Sequence, residues 1–295
     1  MTAFTLAHLS DPHLPILPDV SLASLHRFAG KRSLSYLALP RKPGRARAAA
    51  ALAALVADVA AHRPDHVAVT GDLVNLALPA EFARARRWLA ALGPPERVSV
   101  VPGNHDALVP VPPADGVGLW APWTGDAFPA VRRAGPLALV GLSSAVPTPP
   151  LFASGRLGES QLARLGPALD ALGREGLFRV VLVHHPPVGG RGGWRRALRD
   201  AGALRDVLRA RGAELVLHGH DHRATLAALP GPAGPIPVCG VPSASGRAAR
   251  WHLHRVEPEG GGWRLHTQAR GRDPASGRFA ALGDWSLRLD RHGGG

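Results

Sequence analysis

Short apolar runs alternate with longer stretches of helical spacing through the first two-thirds of the chain. Residues 4–9, 66–70, 98–101, 137–142, 178–183 and 214–217 are brief runs dominated by apolar side chains, and they predict buried strands. Between them lie residues 46–62, where Leu52, Leu55, Val56 and Val59 recur among alanines, and residues 79–92, 157–172 and 201–211. These predict helices, the first ended by Pro64 and the second opened by Pro79. The β-α-β-α-β order over residues 4–101 predicts a largely parallel sheet. Residues 108–136 are rich in Pro, Gly and Trp and predict a loop excursion, with Trp120, Trp123 and Phe128 packing locally. From residue 224 the pattern changes to short runs at 224–229, 236–240, 251–256 and 263–269, separated by Gly/Pro turns. These predict antiparallel strands that form a second sheet or complete the first. Residues 1–270 therefore read as one domain, and residues 271–295 as a weakly patterned C-terminal extension with a frayed glycine end.

A chain of 295 residues with 45% hydrophobic and 19% charged residues can bury a sizeable core, which excludes wholesale disorder. The net charge of +13 is almost all arginine, since Lys31 and Lys42 are the only lysines. The arginines are scattered and aromatic residues make up only 5%, so the charge favours anionic ligands without pointing to nucleic acid. Cys239 stands alone in an apolar run; no intrachain disulfide can form, and a small buried side chain is expected. The N-terminus lacks a secretory pattern, and the longest apolar stretch, residues 48–61, is interrupted by Asp58, so the chain reads as cytoplasmic. Residues 28–47 interleave Phe28, Leu34, Tyr36, Leu37 and Leu39 with basic residues. They read as a surface helix and loop, with peripheral contact to a lipid surface or an acylated substrate as the sharper alternative.

Candidate chemistry sits in five polar runs, each following a predicted strand: Asp11-Pro12-His13, Gly71-Asp72, Gly103-Asn104-His105-Asp106, His184-His185-Pro186 and His218-Gly219-His220-Asp221-His222. Taken singly, each is an ordinary turn. Together they gather carboxylate, amide and imidazole donors at the carboxyl ends of strands, where ligands bind in such sheets. Mixed N/O donors suit Mn, Fe or Zn. A pair of divalent ions about 3.5–4 Å apart can activate water and stabilise both oxygens of a displacement at phosphorus. Alternation at a strand end lets only one of His184 and His185 face such ions. His8, His218, His252, His254 and His266 read as structural, and Asp221 as solvated. The run Gly189-Gly190-Arg191-Gly192-Gly193-Trp194 reads as a mobile loop over the site, since it lacks the Gly-Lys-Ser/Thr ending of a phosphate-cradling loop.

In this order, Asp11-x-His13, Gly71-Asp72, Gly103-Asn104-His105-Asp106, His184 and Gly219-His220-x-His222 resemble the calcineurin-like binuclear metallophosphoesterases, over about three-quarters of the chain. The resemblance implies an α/β fold, a four-layer α/β/β/α sandwich of two mixed sheets. It implies that Asp11, His13 and His222 hold one metal, that Asn104, His184 and His220 hold the other, and that Asp72 bridges them. It makes His105 the proton donor to the leaving group and Asp106 the residue that orients His105. The implied reaction is attack of a metal-held hydroxide on a phosphoester. The second run continues Leu73-Val74-Asn75 and the third ends in Asp106, unlike the Asp-Arg-Gly and Asn-His-Glu of the family's protein phosphatases. The His-His-Pro-Pro and Gly-His-Asp-His runs are similar to those of bacterial phosphodiesterases, including the class III cyclic-nucleotide enzymes, so a small phosphodiester is the expected substrate. The alternatives are a UDP-diacylglucosamine pyrophosphatase of lipid A synthesis, a nuclease of the same superfamily, a metal-stabilised scaffold and a nucleic-acid-binding module. A scaffold predicts loss of a ligand or of His105, and none is lost.

Overall fold

In the computed structural model, β1 (Phe4–Leu9), β2 (His66–Val69) and β3 (Val98–Val100) run parallel, as the alternating pattern predicts. The structure describes residues 3–15, 30–39, 42–246, 249–273 and 275–291. Helices α2 (Lys42–His62) and α3 (Pro79–Leu92) connect these strands, after the short α1 (Lys31–Leu37). Leu52, Leu55 and Val59 of α2 and Phe82, Ala85 and Leu89 of α3 bury against Ala7, Leu9, Val67, Val69 and Val100. Each such leucine or phenylalanine contributes roughly 1.5–3 kcal/mol by leaving water.

The second sheet has a parallel core of β5 (Leu137–Gly141), β6 (Phe178–Leu182), β7 (Leu215–His218) and β9 (Pro235–Gly240). Antiparallel β4 (Ala130–Ala134) and β8 (Thr225–Pro230) flank it. Helices α5 (Glu159–Arg174) and α6 (Ala201–Arg211) cover its outer face through Leu165, Leu169, Leu204 and Leu208. Leu6, Ala68, Val180, Leu182, Leu217 and Cys239 fill the space between the sheets. Helix, sheet, sheet and helix thus make the four layers that the resemblance implies. Cys239 is buried there, and burial pushes its thiol up to about 12.

Three features differ from the sequence pattern. The excursion over residues 108–136 contains α4 (Ala121–Thr124) and the strand β4. Its tryptophans do pack locally, Trp120 donating from Nε1 to the Phe82 carbonyl at 3.1 Å. The late strands divide between the sheets: β8 and β9 join the second, while β10 (Arg250–Glu259) and β11 (Gly262–Arg272) join the first beside β1. Residues beyond 270 supply the end of β11 and all of β12 (Phe279–Leu289), an edge strand hydrogen-bonded along β11. Both β4 and β12 lie at sheet edges with mostly exposed or half-buried side chains, so neither carries a strong apolar alternation. Phe28 and the rest of residues 16–29, with Pro40 and Arg41, lie outside the described residues, as do Gly293 to Gly295. Among the described residues no helix is long and apolar enough to cross a membrane.

Candidate metal centre

The ends of β1, β2, β3, β6 and β7 meet at one edge of the two sheets. The turns after β1 and β2 are laced together, the amides of Asp11 and His13 donating to the carbonyls of Gly71 and Asp72, each at 3.0 Å. The amide of Gly219 reaches the His184 carbonyl at 3.1 Å in the same way. Five of the predicted ligands hold positive φ, a conformation that side chains resist: Asp11 (51°), His13 (39°), Asp72 (55°), His220 (68°) and His222 (53°). Such backbone persists only where the surroundings fix it, and it gathers at functional sites. Gly71, at φ 94°, has no room for a side chain: a Cβ there would lie 2.6 Å from Nδ1 of His184 and 2.7 Å from the amide nitrogen of Gly103. That close approach brings the turn carrying Asp72 against the third run.

The side chains converge. Donor atoms of Asp11, His13 and His222 lie within 4.8 Å of one another, as do those of Asp11, Asp72 and His184, and those of His13, Asp72 and His105. Oδ2 of Asp72 is 3.3 Å from Nε2 of His184, which in turn is 3.1 Å from Oδ1 of Asn104. Nδ1 of His220 is 3.3 Å from the same His184 nitrogen. On the other side, Nε2 of His222 lies 3.1 Å from Oδ1 of Asp11 and 3.4 Å from Nε2 of His13. Asp72 stands between the two groups.

Two of these rings are anchored from behind. His184 Nδ1 donates to the Thr70 carbonyl at 2.7 Å, and His220 Nε2 donates to the Arg196 carbonyl at 3.0 Å. Each bond turns the ring's opposite nitrogen toward its neighbour. Those two nitrogens, 3.3 Å apart, must have a proton or a cation between them, and a divalent metal ion that takes the proton's place fits the donor set. His185 lies against both rings, one of its nitrogens within 4.8 Å of donor atoms of His184 and His220 and its centroid 4.4 Å from that of His220, but both its nitrogens already have partners: Nδ1 is 2.7 Å from Oγ of Ser144 and Nε2 is 3.1 Å from the Ala153 carbonyl.

The electrostatics agree with a ligand set. Burial alone would raise Asp72, but the imidazoles of His184, His105 and His13 hold its carboxyl well below the usual range. Burial likewise opposes ionisation of Asp11, and His222 lowers it. Burial, reinforced by His105, brings His13 down to about 4, and burial with His185 and His184 keeps His220 neutral. His184 and His222 go the other way: burial works against their charge, but Asp72 lifts His184 to about 9 and Asp11 raises His222.

The Asp106 carboxylate is bonded to main-chain amides and not to the His105 ring. It accepts the amides of Leu73 (2.9 Å), Val74 (3.0 Å) and Gly103 (2.8 Å), clamping the second run to the third. The reason is its position: it is buried beneath the turn, within reach of three amide donors. Nδ1 of His105 instead donates to the Asn75 carbonyl at 2.9 Å. Thr70, Asn75 and Arg196 serve the site through main-chain carbonyls, and Ser243 through a hydroxyl that donates to the Asp11 carbonyl at 2.8 Å. Main-chain partners leave no mark in residue identity. Beside His13, His105 and His222 opens a cavity of about 290 Å³, walled by Leu14, Pro15 and Leu39, with Arg45 at its side.

The sequence profile of the calcineurin-like phosphoesterases matches residues 4–224. A search of curated proteins returns no match. Among solved structures, a dimetal phosphatase from Danio rerio superposes with a TM-score of 0.64 at 13% identity, covering 97% of this chain and 98% of its own. The sulfate thiohydrolase of Thermus thermophilus aligns at 18% identity and TM-score 0.47, covering 98% of this chain and 56% of its own. At 13% identity the likeness to the dimetal phosphatase concerns the fold alone. The profile match spans most of the sequence and includes all five polar runs: the chain belongs to the calcineurin-like phosphoesterase family and is a metallophosphoesterase.

Proposed function

We propose that this phosphoesterase hydrolyses a small phosphodiester at a centre of two divalent cations. Asp11, His13 and His222 would hold one, Asn104, His184 and His220 the other, and Asp72 would reach both. The observation that carries this reading is the facing pair of anchored imidazoles, His184 and His220, beside the ionised Asp72. Cations bound there would supply positive charge to phosphoryl oxygens and lower the pKa of water. The chain's own part is position and proton supply. The Nδ1–H of His105 is committed to the Asn75 carbonyl, so Nε2 is the nitrogen that gives its proton to the departing oxygen. His13 stands edge-on to His105, with ring centroids 5.0 Å apart, which keeps the proton donor beside the first group of ligands.

The test is a panel of bis-p-nitrophenyl phosphate, cyclic nucleotides and UDP-diacylglucosamine against protein reconstituted with Mn, Fe or Zn. Chelator-sensitive turnover of the diesters is expected. Bound metal with no turnover of any phosphoester would favour a scaffold. A second reading, an acylated pyrophosphate substrate at a membrane surface, draws on the cavity: its walls are apolar, and Leu34 and Leu37 of nearby α1 are 47% and 66% exposed. Preference for UDP-diacylglucosamine over its deacylated form would select that reading.

A further inference from the structure

A second group of imidazoles lies between the sheets, apart from the centre above. In the antiparallel register of β1 and β10, His8 stands opposite His252 and Leu6 opposite His254. Side chains alternate along each strand, so His8, His252 and His254 share the face of Leu6 and Val256, which is turned toward the second sheet. Their ring centroids are 5.9–6.3 Å apart, and one ring nitrogen from each lies within 4.8 Å of the others. His8 and His254 are fully buried and His252 is 4% exposed.

Two of the rings are oriented by threonines. His8 Nε2 lies 3.0 Å from Oγ1 of Thr70, and His254 Nδ1 lies 2.8 Å from Oγ1 of Thr267. The opposite nitrogens, Nδ1 of His8 and Nε2 of His254, have no hydrogen-bond partner, and neither has Nδ1 of His252. A buried polar atom left unpaired is costly, so three in one cluster need a reason. One imidazole nitrogen bound to a hydroxyl with the other free is how metal-bound histidines are held.

We propose that His8, His252 and His254 form a further cation site, for zinc or a similar borderline transition metal. Three neutral nitrogen donors without a carboxylate select against calcium and magnesium. Burial keeps all three imidazoles uncharged, the form that ligates. Metal–nitrogen bonds of about 2.0–2.1 Å would draw the three nitrogens in to roughly 3.4 Å apart, a contraction that small side-chain rotations supply. The ion would cross-link β1 to β10 behind the catalytic edge. Thr70 joins the two places: its hydroxyl meets His8 and its carbonyl holds His184.

Metal counting on the full chain tests this. Protein stripped with chelator is reloaded with zinc, freed of loose ion by gel filtration and assayed by plasma emission spectrometry. Wild type is expected to hold one more zinc per chain than His252→Leu or His254→Leu. That difference does not depend on what the Asp72 cluster binds, so this inference and the proposed function can fail separately. Should the leucine variants not fold, the triple variant Asp11→Ala/Asp72→Ala/His220→Ala, which breaks both proposed ligand groups of the first centre, decides, and is expected to retain one tightly held zinc. Equal counts in wild type and folded leucine variants, or no zinc in the folded triple variant, would overturn the site.

Discussion

The amide of His105 donates to Oδ1 of Asp72 across 2.7 Å, tying the turn that carries the proposed proton donor to the carboxylate between the two ligand groups. The two residues nevertheless do different work, and substitution should separate them. His105→Ala keeps its main-chain amide and every proposed ligand, so cation content should be unchanged while kcat falls by about 10²–10⁴. Asp72→Ala should lose cation occupancy together with activity. Metal analysis alongside kinetics on both variants checks this; a fully active His105→Ala enzyme would remove the proton donor from the account.

Asp106 should behave as a structural clamp. Asp106→Ala strands three buried amides, those of Leu73, Val74 and Gly103. At about 1–3 kcal/mol for each, the loss should be roughly 3 kcal/mol or more, read from urea unfolding of chelator-treated protein. A variant of unchanged stability but depressed kcat would restore the direct role in orienting His105 that the sequence suggests.

Cation binding should depend on pH through His184. Without a cation, burial disfavours the charged ring but Asp72 lifts it to about 9. A cation bound through Nε2 must displace that proton. Below about 9 the proton competes and above it the site is open, so affinity should rise with pH, by up to about tenfold per unit for one proton. In the cation-free protein, the His184–Asp72 pairing stabilises the fold fully below 6.5 and is lost as pH rises through about 9. Calorimetric titrations in buffers of different ionisation enthalpy should show proton release; affinity independent of pH would contradict the assignment.

The second sheet should be sensitive at Arg179 and Glu214, a pair almost wholly buried with Nη2 and Oε1 2.8 Å apart. Arg179 also donates to the carbonyls of Leu169 and Arg211 near the ends of α5 and α6, so it joins helices to sheet. Glu214→Ala leaves a buried guanidinium without its carboxylate and should cost roughly 3–5 kcal/mol in thermal or urea unfolding. A change below about 1 kcal/mol would contradict that role.

The sequence carries the frame of this molecule because buried parallel strands and amphipathic helices write themselves as apolar runs and 3.6-residue spacing. Strands β1, β2, β3, β5, β6 and β7 are of this kind. Edge strands β4 and β12 bury too little to leave such a trace. The side chains of the candidate metal centre can be picked out because the chemistry proposed for them restricts them to Asp, Asn and His after strand ends. What holds those side chains is not legible: His105 leans on the carbonyl of Asn75, His184 on Thr70 and His220 on Arg196, and any residue offers a carbonyl. Asp106 stands next to His105 in sequence, but its carboxylate bonds three nearby amides, a partnership that residue identity does not announce. His252 and His254 read as core residues, and only the register of β10 against β1 brings them to His8.

The central claim is that seven side chains distant in sequence clamp two neighbouring cations. Anomalous diffraction from crystals of manganese-loaded protein tests it most directly. Two peaks are expected about 3.5–4 Å apart, one against Asp11, His13 and His222, the other against Asn104, His184 and His220, with Asp72 reaching both. A single peak, or peaks touching none of these residues, would contradict it.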